Sequence, residues 1–378
     1  MTSIYKDAIL ENLSEFSESV PYKEEVMEEK ELLEKATGCL KAVYIGDAMG
    51  RFAESLTHEQ ILEKTDGQGI KDFVYFERDD TPWLKGVGKE ELGNVTDDSI
   101  LTDLIAESLI DNKGFDLWDI ALKHVGALEE SDDGWGRTTV RGVEELRHFF
   151  DTRGREGRRP GKWRTPVKSN LGCGNGVAMK IAPVALYNAF TYIYSGYTKL
   201  DEHVTLIGSL THPNKLATSA AYVLAKLLFY EIVNPKEEFD DWFDMYPSFI
   251  EHIKWYEKNI LGLPEDASIV EYLMPLADKD VLNSPKRLRQ EVGTSCYALQ
   301  SVPFAIAVYL RHMDDFRAGV LEAVNAGGDT DTIASMAGAL IGARVGVKGI
   351  PEEWRNFNPE YKKADELAEK LIQVGKSG

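Results

Sequence analysis

Residues 325–347 read NAGGDTDTIASMAGALIGARVGV, and this stretch decides both the fold class and where chemistry is to be sought. After the acids Asp329 and Asp331, the run from Ile333 to Val347 is built of small and apolar residues with helical rather than strand periodicity. Gly338, Gly342 and Gly346 recur every four residues, which places them on one helical face. A face without side chains lets a neighbouring helix come close, so this segment is expected at the centre of the molecule. Leu216 to Tyr230 and Cys296 to Leu310 read as helices too, the second with an expected kink at Pro303. Neither β-branched alternating runs nor an Asn-Gly hairpin turn suggest a large sheet. The expectation is an all-α, compact multi-helix fold.

The chain has 378 residues, 43% of them hydrophobic, ample for a substantial core. Its net charge of −20 argues against nucleic acid or an anionic membrane as partner, because phosphates are bound by clustered Lys and Arg. The N-terminus lacks a basic segment followed by an apolar one, and no apolar run reaches the roughly 18–20 residues of a membrane span. The nearest candidate, 333–347, is interrupted by Arg344. Cys39, Cys173 and Cys296 are too scattered for a disulfide framework or a thiolate metal site. A cytoplasmic protein is expected, with neither membrane nor nucleic acid as partner.

Acids crowd residues 24–34, where Val26, Met27, Leu32 and Leu33 supply part of a helical stripe. Composition turns small and apolar at Gly38-Cys39-Leu40. The chain is therefore divided into an acidic, partly helical arm over 1–35 and a single domain over 36–378. Between 151 and 176 lie Arg153, Arg155, Arg158, Arg159, Lys162, Arg164 and Lys168. They form either a solvated surface loop or a positive rim that draws in a phosphate-bearing substrate.

Two acid clusters enter apolar stretches: Thr96-Asp97-Asp98 and Asp329-Thr330-Asp331-Thr332. Each taken alone is compatible with a helix start, where a Thr caps and acids meet the positive end of the dipole. Together they offer four carboxylates and hydroxyls, the oxygen-rich set that Mg²⁺ or Mn²⁺ requires. Gly172-Cys173-Gly174-Asn175-Gly176 is a glycine-rich turn whose backbone N–H groups can cradle phosphate oxygens or simply pack tightly. It is not a P-loop, because no Lys-Ser/Thr follows the last glycine. His212 precedes an expected helix, either bonded to backbone there or contacting phosphate or ribose.

Taken in order, Gly38-Cys39-Leu40, Ile45-Gly46-Asp47-Ala48-Met49-Gly50, Thr96-Asp97-Asp98, Gly174-Asn175-Gly176-Val177-Ala178-Met179, Thr211-His212-Pro213 and Gly327-Gly328-Asp329-Thr330-Asp331-Thr332 resemble the ADP-ribosylglycohydrolases. Ile350-Pro351-Glu352-Glu353-Trp354 is similar to that family's C-terminal ending. The resemblance spans roughly residues 36 to 356. It implies an all-helical domain with a binuclear Mg²⁺ centre, Mn²⁺ being the alternative, at the base of an ADP-ribose cleft. The implied metal ligands are Thr96, Asp97, Asp98, Asp329, Asp331 and Thr332. Glu54 corresponds to the family's mobile acid and, with Asp97 and Asp331, is the implied catalytic group. Gly174, Asn175, Gly176, Val177, Ala178, Met179 and His212 would line the diphosphate and distal ribose; Asp47 would support the site from behind or be a buried acid bonded to neighbouring backbone.

The implied reaction releases ADP-ribose from a modified protein, with ADP-ribosylarginine as the leading substrate. Such a bond breaks through an oxocarbenium-like transition state. Two departures stand out, Ser99-Ile100 where the family often has Thr-Gln and Lys180 where Arg is frequent. The arm is either a solvated helical extension packed on its own core or the seat of a second function, an immunity or binding protein that neutralises an ADP-ribosylating toxin through residues 1–35. A two-metal phosphohydrolase acting on nucleotides is the third reading.

Overall fold

The computed structural model describes residues 27–78, 80–132, 134–153, 172–234 and 242–377. Their regular structure is helical; among them pairing of the strand type is confined to two isolated bridges, Thr57 with Gly327 and Gly174 with Tyr297. Most of the expected arm, and the basic loop over 154–171, lie outside the described residues.

The centre is a pair of helices, Glu29–Gly50 and Thr330–Val345. The first carries three glycines, at 38, 46 and 50, each costing about 1 kcal/mol relative to Ala in a helix interior. Packing recovers that cost. A Cβ on Gly38 would lie 2.3 Å from the Gly342 carbonyl oxygen, and one on Gly46 2.3 Å from that of Ala334. At Gly50 it would lie 2.4 Å from the backbone nitrogen of Asp331. The two backbones therefore touch along the seam, as the glycine spacing predicts for Gly338 and Gly342. Gly346 also ends the helix, at φ 68°, while still meeting the first helix: a Cβ on Gly38 would lie 2.7 Å from its carbonyl carbon.

The boundary expected at residues 35/36 falls inside the first helix, which starts at Glu29. Leu32 is completely buried, and the Lys35 ammonium donates to the Glu231 and Asn234 carbonyls at 2.6 and 3.1 Å, closing the end of another helix. That other helix, Lys215–Val233, contains the expected Leu216–Tyr230 segment. Against the expectation that no apolar run reaches span length, this helix is long and apolar enough to cross a membrane, but 89% of its apolar window is buried inside the fold. The helix Ala298–Arg311 continues through Pro303.

Candidate metal centre

Three segments meet at one end of the glycine seam. After Gly50 a single 3₁₀ turn, Arg51–Ala53, delivers Glu54. The next residues pair with the 327–331 loop: Ser55 N–H donates to Gly328 O at 2.7 Å and Gly328 N–H to Leu56 O at 2.8 Å. Gly327 and Gly328 adopt φ of 79° and 80°, and a Cβ on Gly328 would fall 2.1 Å from Thr294 O. Backbone conformation and crowding both demand glycine there. Thr330 Oγ1 then donates to Gly50 O at 2.8 Å, fastening the loop to the end of the first helix.

The second segment is the start of the helix Asp97–Asp111. Thr96 sits in the N-cap position, but its side chain makes no capping bond. Its hydroxyl instead donates to Asp47 Oδ1 at 2.7 Å, and its N–H donates to Asp47 Oδ2 at 2.9 Å. Ser99 adds its N–H at 3.1 Å and its hydroxyl at 2.5 Å, both to Oδ2. Asp47, fully buried on the first helix, thus fixes the turn from Thr96 to Ser99 and aims Asp97 and Asp98 into the site. These bonds fit both expectations for Asp47, a buried acid bonded to nearby backbone and a support behind the site.

The third segment is the glycine turn. Asn175 Nδ2 donates to Asp329 Oδ2 at 2.5 Å and to Ser301 Oγ at 3.1 Å, orienting that carboxylate. Asn175 N–H is taken by Cys296 O at 3.1 Å. Among the described residues no partner takes the N–H groups of Gly176, Val177 and Ala178. The side chains of Val177, Ala178 and Met179 are buried core, so what this turn can offer a ligand is backbone. His212 lies beneath the turn, 2% exposed, bonded to Thr211 Oγ1 at 2.9 Å. A Cβ on Gly176 would lie 2.9 Å from its ring. Burial, helped by Lys180, lowers its pKa to about 3, leaving it neutral.

Carboxylates converge. Ligand oxygens of Glu54, Asp329 and Asp331 all lie within 4.8 Å of one another. Asp97 and Asp98 stand close enough that burial, and then the charges around them, raise their pKa values well above the carboxylate range; Asp47, Glu54 and Asp329 act on Asp97, and Asp47, Asp97 and Asp329 on Asp98. Asp331 is raised in the same way, by burial and then by Glu54, Asp329 and Asp98. Half-buried Glu54 is raised to about 8, by burial first and Asp329 next. Lys180, wholly buried, is lowered to about 7 by burial, and Asp97 opposes the shift. Thr332 Oγ1 donates to Asp98 Oδ2 at 3.1 Å, while Asp98 Oδ1 is buried without a partner. Buried, mutually repelling acids with an orphaned oxygen are what a divalent cation would satisfy, and oxygen ligands of this kind suit Mg²⁺ or Mn²⁺.

A family model described as ADP-ribosylglycohydrolase matches residues 28–378. This chain belongs to the ADP-ribosylglycohydrolase family. The ADP-ribosylhydrolase ARH3 of Mus musculus is 27% identical over 366 residues, covering 89% of this chain and 90% of the relative. That of Homo sapiens is 26% identical over 369 residues, covering 90% and 94%. A solved structure described as an ADP-ribosylglycohydrolase-related protein complex overlays with a TM-score of 0.61 at 24% identity, covering 92% of this chain and 99% of that one. The last comparison speaks for the fold. Family membership supports hydrolysis of ADP-ribosyl bonds, and the family is metal-dependent.

Sequence reasoning did not find Arg78, Trp83 or Ser301. Trp83 donates its indole N–H to Glu54, 29 positions earlier in the chain, at 2.5 Å, and no local pattern announces such a pairing.

The electrostatics give a pH dependence with a definite sign. Carboxylates raised in the folded state still hold protons after the unfolded chain has released its own. Stability of metal-free protein therefore falls as pH rises from the ordinary carboxylate range through the folded value of about 8 for Glu54. Thermal scans of chelated protein from about pH 5 to about pH 8.5 should show a declining Tm, with Mg²⁺ stabilising most at the alkaline end. A flat profile would mean the acids do not share one buried site.

Proposed function

We propose that this chain is a metal-dependent hydrolase that cleaves the glycosidic bond between C1″ of ADP-ribose and a side chain of a modified protein. The convergence of Glu54, Asp329 and Asp331, with Asp97 and Asp98 beside them, carries this reading. Asp97, Asp98, Asp329 and Asp331, with the hydroxyls of Thr96 and Thr332, would hold two Mg²⁺ ions. Bound there, the ions would polarise sugar hydroxyls and lower the pKa of a bound water toward neutrality.

The protein's own groups supply the rest. Asn175 holds Asp329 in one orientation, and Asp47 holds the turn bearing Asp97 and Asp98. Fixed ligands fix the distal ribose, removing orientation entropy from the barrier. The backbone N–H groups of Gly176, Val177 and Ala178 are suited to the diphosphate. Glu54, converging with Asp329 and Asp331, is the acid placed to exchange a proton with water or with the departing side chain. Neutral His212 supports the glycine turn from below.

Arginine, the acceptor expected from the resemblance, draws no support from the relatives, which carry the name ADP-ribosylhydrolase ARH3. The proposal accordingly rests on the bond rather than the acceptor. Purified protein with Mg²⁺ should release free ADP-ribose from at least one of two peptides, ADP-ribosylated on arginine or on serine. Release from neither, with metal bound, would sink the hydrolase reading.

A further inference from the structure

Glu54 follows a 3₁₀ turn and, like Asp329, lies outside any helix, so other contacts must hold it. Two residues of the following loop supply them. Arg78, 4% exposed, donates from Nη1 to the carbonyls of Phe52 and Glu54 at 3.2 and 2.9 Å. Its Nε donates to Asp80 Oδ1 at 2.7 Å and its Nη2 to Thr81 Oγ1 at 2.5 Å. One guanidinium therefore ties the Glu54 backbone to the turn that begins at Thr81. That turn is anchored again by Leu84, 1% exposed, whose N–H donates to Thr81 O at 3.0 Å. Between these two anchors Trp83 is left 42% exposed, an unusual place for an indole. Its polar end is occupied: Nε1–H donates to Glu54 Oε2 at 2.5 Å, a bond of the charge-assisted kind when Glu54 is ionised.

We propose that Trp83 is the positioning residue for Glu54, its indole N–H engaging Oε2 so that Oε1 is left to join Asp329 and Asp331 as a further oxygen for the metal, with Arg78 holding Trp83 in register. This rests on the metal-site reading above. The ring is retained at the surface for its N–H and its stiffness: two side-chain torsions hold a donor that a lysine or glutamine would hold only at greater entropic cost.

Mn²⁺ affinity, measured by titration of the whole chain, and steady-state kinetics on the better of the two peptides test it together in a double-mutant cycle. Trp83→Phe keeps the ring and removes the N–H. Expected are a roughly tenfold weaker Mn²⁺ affinity and a kcat lower by a similar factor, with KM little changed and the thermal transition of the metal-free protein unmoved. In the Glu54→Ala background the same Trp83→Phe change should leave Mn²⁺ affinity where it was, because its target is gone. An equal loss of affinity in both backgrounds, or no loss in either, overturns the role given to Trp83. A wild-type chain that takes up no Mn²⁺ overturns the metal-site reading and this inference with it.

Discussion

Asp331→Ala should remove turnover while leaving the chain folded. Asp331 is buried at the first turn of the central Thr330–Val345 helix, where its raised pKa reflects burial and the charges of Glu54, Asp329 and Asp98. Its loss removes a ligand that the bound metal would need. Several kcal/mol of charge stabilisation are at stake, and at about 1.4 kcal/mol per factor of ten the fall in kcat should be roughly 10³-fold or more. The fold has no such dependence. Asp331 Oδ1 accepts one local bond, from Thr332 N–H at 2.8 Å, and otherwise the carboxylate stands among like charges. Deleting one member of a repelling set relieves the others, so metal-free Asp331→Ala should melt at the wild-type temperature or above it. The stabilisation that Mg²⁺ confers on wild type should vanish. Thermal scans with and without Mg²⁺, set beside the ADP-ribose release assay, read both halves. Full activity in the variant would show that the site is misplaced.

Which parts of the site could be read from sequence depends on how far apart along the chain their residues lie. Asp97, Asp98, Asp329 and Asp331 stood out because these acids come in short local clusters at helix starts, and local pattern is what a sequence displays. The all-helical fold was legible for the same reason: the seam glycines and the Leu216–Tyr230 stripe repeat with the helical period. What escaped was non-local or contrary to composition. Trp83 and Arg78 reach Glu54 through loop geometry that no periodicity encodes. The acid-rich residues after Glu28 read as an arm, yet Leu32 is buried and Lys35 is folded into the core by two carbonyls that lie far along the chain. Lys180 and His212 are charged or polar by type but buried under the glycine turn, a placement that becomes visible only when the turn has a three-dimensional underside.

Gly46→Ala should be strongly destabilising. Inside the Glu29–Gly50 helix, propensity alone would favour alanine by about 1 kcal/mol. The added Cβ, however, would sit 2.3 Å from both the carbonyl carbon and oxygen of Ala334 and 2.5 Å from Ser335 N. Those atoms are backbone of the partner helix and have no rotamer to yield, so the helices must separate. Overpacking of that kind should outweigh propensity and cost about 3 kcal/mol or more net. Gly126→Ala is the control: it lies in the helix Leu117–Glu130, and a Cβ there would meet no atom within 4 Å. It should gain roughly 0.5–1 kcal/mol from propensity alone. Denaturant unfolding of both variants measures the contrast. The site is bound to the outcome, because Gly50 and Asp331 meet on the same seam and Glu54 follows Gly50 by one turn. If Gly46→Ala left stability unchanged, the helices would not touch at this register, and the meeting of Glu54 with Asp331 would fall with them.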